Sequence, residues 1–149
     1  MAGMVIDVSG VTANLGQFPN GVYEARVTAA KLDIAQSSGE PVIKLEWEIY
    51  HPELGNATIR DTLPSKFPAK CKAFYQAVSD LSHEDMQDPS HQQIELDPDE
   101  LIGAECLVQL GEREGTANDG SKRMYKSIVG SWYFPSSRQD LIGYEDTPF

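Results

Sequence analysis

Between Ile43 and Tyr50 apolar and polar residues alternate without a slip. Ile43, Leu45, Trp47 and Ile49 occupy one register, and Lys44, Glu46, Glu48 and Tyr50 the other. Side chains of a strand point to opposite faces in turn, so this stretch suits a strand with one dry face and one wet face. Trp47 shares the apolar register and is expected inside the fold rather than on its surface. A half-buried strand needs neighbours, and the flanking sequence supplies them. Tyr23, Ala25, Val27 and Ala29 alternate with Val22, Glu24, Arg26 and Thr28. After the turn residues His51 to Asn56, a third strand runs from Ala57 to Leu63 with Thr58, Arg60 and Thr62 on one face. With Ser37-Ser38-Gly39-Glu40 as the other turn, the three read as an antiparallel meander.

Beyond Pro64 the period changes. Phe67, Cys71, Phe74, Tyr75, Val78 and Leu81 recur at three- and four-residue spacing, which predicts an amphipathic helix from a Ser65 cap to about Asp80. Ser82 to Glu100 is polar and acidic and reads as a long surface loop. A fourth strand follows from Ala104 to Gly111, then a loop from Glu112 to Ser121, then a fifth strand from Lys122 to Phe134. One of Trp132 and Tyr133 should face outward, since they are adjacent on that strand. Three strands, a helix and two strands predict a mainly β fold, a five-stranded OB-fold barrel with one helix between strands three and four. An α+β sandwich or a different small barrel has a compatible element order. Residues 1–18 read as a loose arm, 19–134 as the barrel domain, and 135–149 as a flexible acidic C-terminal tail.

The chain has 149 residues, 40% hydrophobic and 23% charged, which suits one globular domain with a sizeable core. There is no apolar run of membrane-spanning length, and the first residues lack a basic and apolar leader pattern. A soluble, unsecreted protein is expected. Cys71 and Cys106 are isolated and sit in apolar patterns, so both read as core residues. The net charge of −11 at first argues against an anionic partner. Its distribution weakens that argument. Nine acids and no base fall between residues 80 and 105, whereas residues 1–79 carry eight acids against seven bases.

Catalytic constellations are absent from the pattern. His51, His83 and His91 lack metal-ligand spacing, and there is neither a Walker A loop nor a GxGxxG. Asp80, Glu84, Asp85 and Asp88 lack the alternation of a calcium loop and read as a solvated acidic segment. No enzyme activity, cofactor or metal is expected. Binding chemistry is better supplied. Arg26, Lys44 and Arg60 fall on outward registers, Tyr50 ends the second strand, and Lys122, Arg123, Tyr125 and Lys126 cluster at the start of the fifth. Cations for phosphates and ring faces for bases are what a single-stranded nucleic acid requires. Glu46 and Glu48 share the register of Lys44 and would repel phosphate from the middle of strand two.

The chain closes Tyr144-Glu145-Asp146-Thr147-Pro148-Phe149. Two acids, a stiff proline and a terminal ring beside the α-carboxylate make a compact ligand for an apolar pocket with a basic rim. This end resembles the acidic tip of bacterial single-stranded DNA-binding proteins. The stretches Phe18 to Tyr23, Ser38 to Ile43 and Leu101 to Glu105 look like a family of small phage proteins, some of them single-stranded DNA-binding proteins with an OB-fold. The resemblance implies a sequence-independent single-stranded DNA-binding protein of phage replication or recombination, working in the bacterial cytoplasm, with homo-oligomerisation possible. It also implies that Phe149, supported by Pro148, Asp146 and Glu145, docks on replication or recombination proteins. The tail departs from the bacterial pattern by carrying two acids rather than a longer run, by placing Thr147 where an apolar residue stands, and by a far shorter tether. The rival expectation is an acidic OB-like adaptor or DNA mimic that binds a host enzyme and no DNA.

Overall fold

The stretch around Trp47 forms β2 (Pro41–His51), and its alternation holds: Ile43, Leu45, Trp47 and Ile49 are buried and Trp47 has no exposed surface. The computed structural model describes residues 3–4, 15–36, 38–91 and 93–144. On either side of β2 lie β1 (Gly21–Ile34) and β3 (Gly55–Pro64), the expected antiparallel meander. β4 (Glu105–Thr116) pairs with the other edge of β1, and β5 (Lys122–Phe134) pairs with β4. The main path of the sheet is therefore β3-β2-β1-β4-β5. A sixth strand, β6 (Gly143–Tyr144), pairs with the start of β1, so five strands become six.

The sheet curls until its edge strands approach. Asp61 of β3 is buried, and its carboxylate accepts from the Tyr133 hydroxyl of β5 and from Trp47 Nε1 at 3.1 Å. Lys70 Nζ reaches its other oxygen at 2.7 Å. One carboxylate thus links both edges of the sheet, the strand β2 beside β3, and the helix. Phe74 packs edge-on against Trp47 and Tyr133, with ring centroids 5.9 Å and 5.5 Å away. Tyr133 is the inward member of its pair.

The helix, α1 (Pro68–Val78), starts later than the sequence reading placed it. Ser65 does not cap it: the helix begins three residues later, and the Ser65 N–H and hydroxyl both donate to the Pro41 carbonyl instead, at 3.0 and 2.8 Å. Phe67 takes the cap position without a side-chain bond, and Pro68 fits the first turn because its missing N–H would have had no partner there. The acidic segment after α1 contains two 3-10 turns and a short helix, α2 (Pro98–Leu101), capped by the Asp97 carboxylate. Met86, in the first of those turns, is buried.

Three boundaries of the sequence reading change. β4 and β5 continue as a hairpin to Thr116 and from Lys122, so the loop expected from Glu112 is confined to residues 117–121. The arm is held at its end: Leu15–Gln17 form a 3-10 turn and Phe18 is buried against Tyr23. Residues 135–144 are no free tether. Ser137 donates to Asp80 at 3.0 Å, Arg138 pairs with Asp140 through two bonds of 3.0 Å, and the Tyr144 ring lies 4.6 Å from both Tyr23 and His51. The folded body extends at least to Tyr144 rather than stopping at 134. The tail residues Glu145, Asp146, Pro148 and Phe149 lie outside the described residues. Among the described residues no helix is long and apolar enough to cross a membrane.

Candidate functional site

Register decides which side chains can act together. β1 carries a bulge between Val27 and Ala29: Val27 opposes Trp47, and Ala29 already opposes Glu46. The extra residue reverses the faces of everything after it, so Ala29 joins the outward register instead of the inward one expected from alternation. Lys31 is thereby placed directly across from Lys44. Two like charges facing each other on adjacent strands repel, and an anion between them would relieve that. Asp33, 3.1 Å from Lys44, supplies part of the balance. The Ile34 N–H, and then Lys44, hold the Asp33 carboxyl below its usual range.

Lys31 and Lys44 open onto a groove of about 1000 Å³ that follows the seam between β3 and β5. Arg60, Lys70 and Arg113 also line it, against the carboxylates of Glu46 and Asp61. Lys70 is spent on Asp61 inside the wall. Arg60 shares Glu46 at 3.8 Å. Lys31 and Arg113 have no ion-pair partner within 4.0 Å among the described residues, although Lys31 adds to the positive field on Asp33. Pairs as exposed as Lys44–Asp33 and Arg60–Glu46 are weak in water, so an incoming anion would displace their carboxylates at little cost.

One end of the groove is aromatic. Phe67, 47% exposed, meets half-buried Trp132 edge-on, with centroids 5.5 Å apart. Trp132 reaches this place through a second irregularity. Between the pairs Val108–Tyr133 and Leu110–Ile128, β4 has one residue, Gln109, while β5 has four, Val129 to Trp132. Gly130 adopts φ +67° with its α-carbon close against the Gln109 amide, where a β-carbon would lie 2.5 Å from Oε1. The same oxygen accepts from the Ser131 N–H at 3.1 Å.

The residues expected to bind nucleic acid divide among several places. Lys44 and Arg60 line the groove. Arg26 and Tyr50 share a different hollow with Glu24, Glu48 and Glu105, and Arg26 is 3.9 Å from Glu48. Lys122 and Arg123 sit at the hairpin tip beside Glu114 and Asp119, both at 3.5 Å. The Tyr125 ring lies against Gly115, where a β-carbon would be 3.0 Å from it. Lys126 is 14% exposed and ties the hairpin base to Glu112 at 3.2 Å and to Asn20 at 2.8 Å. Sequence reasoning did not single out Lys31, Phe67, Arg113 or Trp132 as a group. Lys31 needed the bulge, Arg113 lay in an expected loop, and Phe67 fitted the apolar side of the helix.

The two cysteines carry no reactive signature. Burial pushes the Cys106 thiol up, with Asp61 adding to it, and burial also raises the half-buried Cys71. Compared with known proteins, the chain matches no family model and no curated protein.

Proposed function

We propose that this chain is an OB-type single-stranded DNA-binding protein that holds the strand along the seam groove. The carrying observation is a set of cations, Lys31, Lys44, Arg60 and Arg113, gathered with the Phe67 and Trp132 rings in one groove of a chain whose net charge is −11. The connection order, with α1 between β3 and β4 and with β3 drawn up to β5 by Asp61, supports the OB reading. Binding without base readout suits this composition, because cations follow the backbone and rings stack on any base. Coating DNA during phage replication or recombination is the role this reading gives it. Recruitment of partner enzymes falls to Glu145, Asp146, Pro148 and Phe149.

Titration with oligo-dT at low and moderate salt tests the reading. Binding should be tightest at low salt, and a Lys31→Glu/Arg113→Glu double variant should lower the slope of log affinity against log salt by about 1.4, roughly 0.7 for each lost phosphate contact. Absence of binding to oligo-dT at low salt would overturn it.

The adaptor reading has its own observation. Each of Arg26, Lys44, Arg60, Lys122, Arg123 and Lys126 lies within 4.0 Å of a carboxylate. A surface so neutralised would suit a protein partner, and capture of a host enzyme from nuclease-treated lysate without DNA binding would favour it.

A further inference from the structure

Trp132 has φ +61°, a left-handed conformation that a bulky non-glycine residue rarely takes. Such conformations persist only where the surroundings enforce them, and they concentrate at binding sites. Here the enforcement is visible. Gln109 alone opposes the four-residue bulge, receives the Ser131 N–H, and fills the space over Gly130, which only a glycine leaves open. Had β5 continued regularly after Ile128, Trp132 would have shared the inward face with Ile128 and Tyr133 would have faced outward. The bulge instead turns it into the groove, edge-on to Phe67, and no described residue accepts from its indole N–H. Trp47 and Tyr133, the other rings nearby, are buried and already bonded to Asp61.

Resting on the single-strand reading above, we infer that Trp132 is the platform on which one base of the bound strand stacks, with Phe67 as its side wall. Gln109 is a positioning residue that holds the Val129–Trp132 bulge in the shape that presents the indole. The site therefore takes an unpaired base, and duplex DNA cannot fill it. Lys31, Lys44 and Arg113 grip the backbone on either side of that base.

The test compares oligo-dT with an abasic oligonucleotide of the same length and charge, on the full chain. The wild type should bind oligo-dT about 5- to 150-fold more tightly than the abasic strand, the range for one stacked base. Trp132→Ala should remove that preference while leaving abasic binding unchanged. Gln109→Ala should diminish the preference in the same direction, and Gln109→Glu, which keeps the oxygen that accepts from Ser131, should retain more of it. Far-UV circular dichroism and the melting temperature establish that each variant is folded. A Trp132→Ala protein that keeps the full oligo-dT preference overturns the proposal, as does one that loses both ligands equally. Wild type that binds oligo-dT and the abasic strand alike overturns the stacking site and leaves the DNA reading standing. Wild type that binds neither overturns both.

Discussion

Asp61 shows how one residue can hold a wall together. Its carboxylate is bonded by Trp47, Tyr133 and Lys70, from β2, β5 and α1, and its side chain is only 4% exposed beside a Lys70 that is 12% exposed. A pair this deep contributes little net stability over an apolar packing, yet removing one partner is costly because the other charge stays buried and alone. Asp61→Asn should therefore destabilise the protein by about 3 kcal/mol in urea unfolding, with most of the cost arising from the stranded ammonium. Combining it with Lys70→Met should recover a large part of that loss. A double variant no more stable than Asp61→Asn would mean that the tyrosine and indole bonds, rather than the ion pair, carry the effect. Trp132 is the contrasting case. Its backbone is held in an unfavourable region by Gln109 and Gly130, and it makes no such buried polar bond.

At the scale of elements, departures from regular pairing set the architecture of the groove. The β1 bulge puts Lys31 on the Lys44 face, and the β5 bulge puts Trp132 beside Phe67. β6 is a third such feature. It is a two-residue strand held by Gly21 and Val22, and it anchors the last ten described residues, 135–144, to the body. Gly21 makes this possible by having no side chain: a β-carbon there would collide with the Gly143 carbonyl oxygen and lie 2.8 Å from the Tyr144 α-carbon. Both are backbone atoms, so no rotamer change relieves the clash. Gly21→Ala should release β6 and uncover Tyr144, raising amide exchange at 143 and 144 while β1–β2 pairing stays protected. Unchanged protection at those amides would show that β6 can shift and remain paired.

For the whole molecule, pH acts through two different populations of groups. Asp33, Asp85, Asp88, Asp119 and Asp140 have carboxyls held below their usual range, mainly by backbone or side-chain hydrogen bonds. Their contribution is complete above about pH 4 and is lost as pH falls below the ordinary carboxylate range. Tyr23, Tyr133 and Cys106 are shifted upward, chiefly by burial, so the folded state keeps protons that the unfolded state releases. Their contribution is complete below about pH 8.5 and declines as pH rises through the unfolded thiol and then the phenol range near 10. The melting temperature should be level between about pH 4 and 8.5 and fall on both sides. The alkaline limb should be the steeper, since its groups are buried whereas the five aspartates are solvent-exposed. A flat melting temperature up to pH 11 would contradict this. The sequence alone determined the course of five of the six strands, that Trp47 faces inward, and that a helix separates the third strand from the fourth. Those features follow from periodicity, which is local to each segment. Only the tertiary structure decided where α1 begins, which ring of the Trp132–Tyr133 pair is buried, and which cations share a surface. Bulges, cap competition at Pro41 and the approach of β3 to β5 are products of chain segments far apart in sequence. An extra residue in one strand reverses a face, and alternation along that strand by itself carries no record of it.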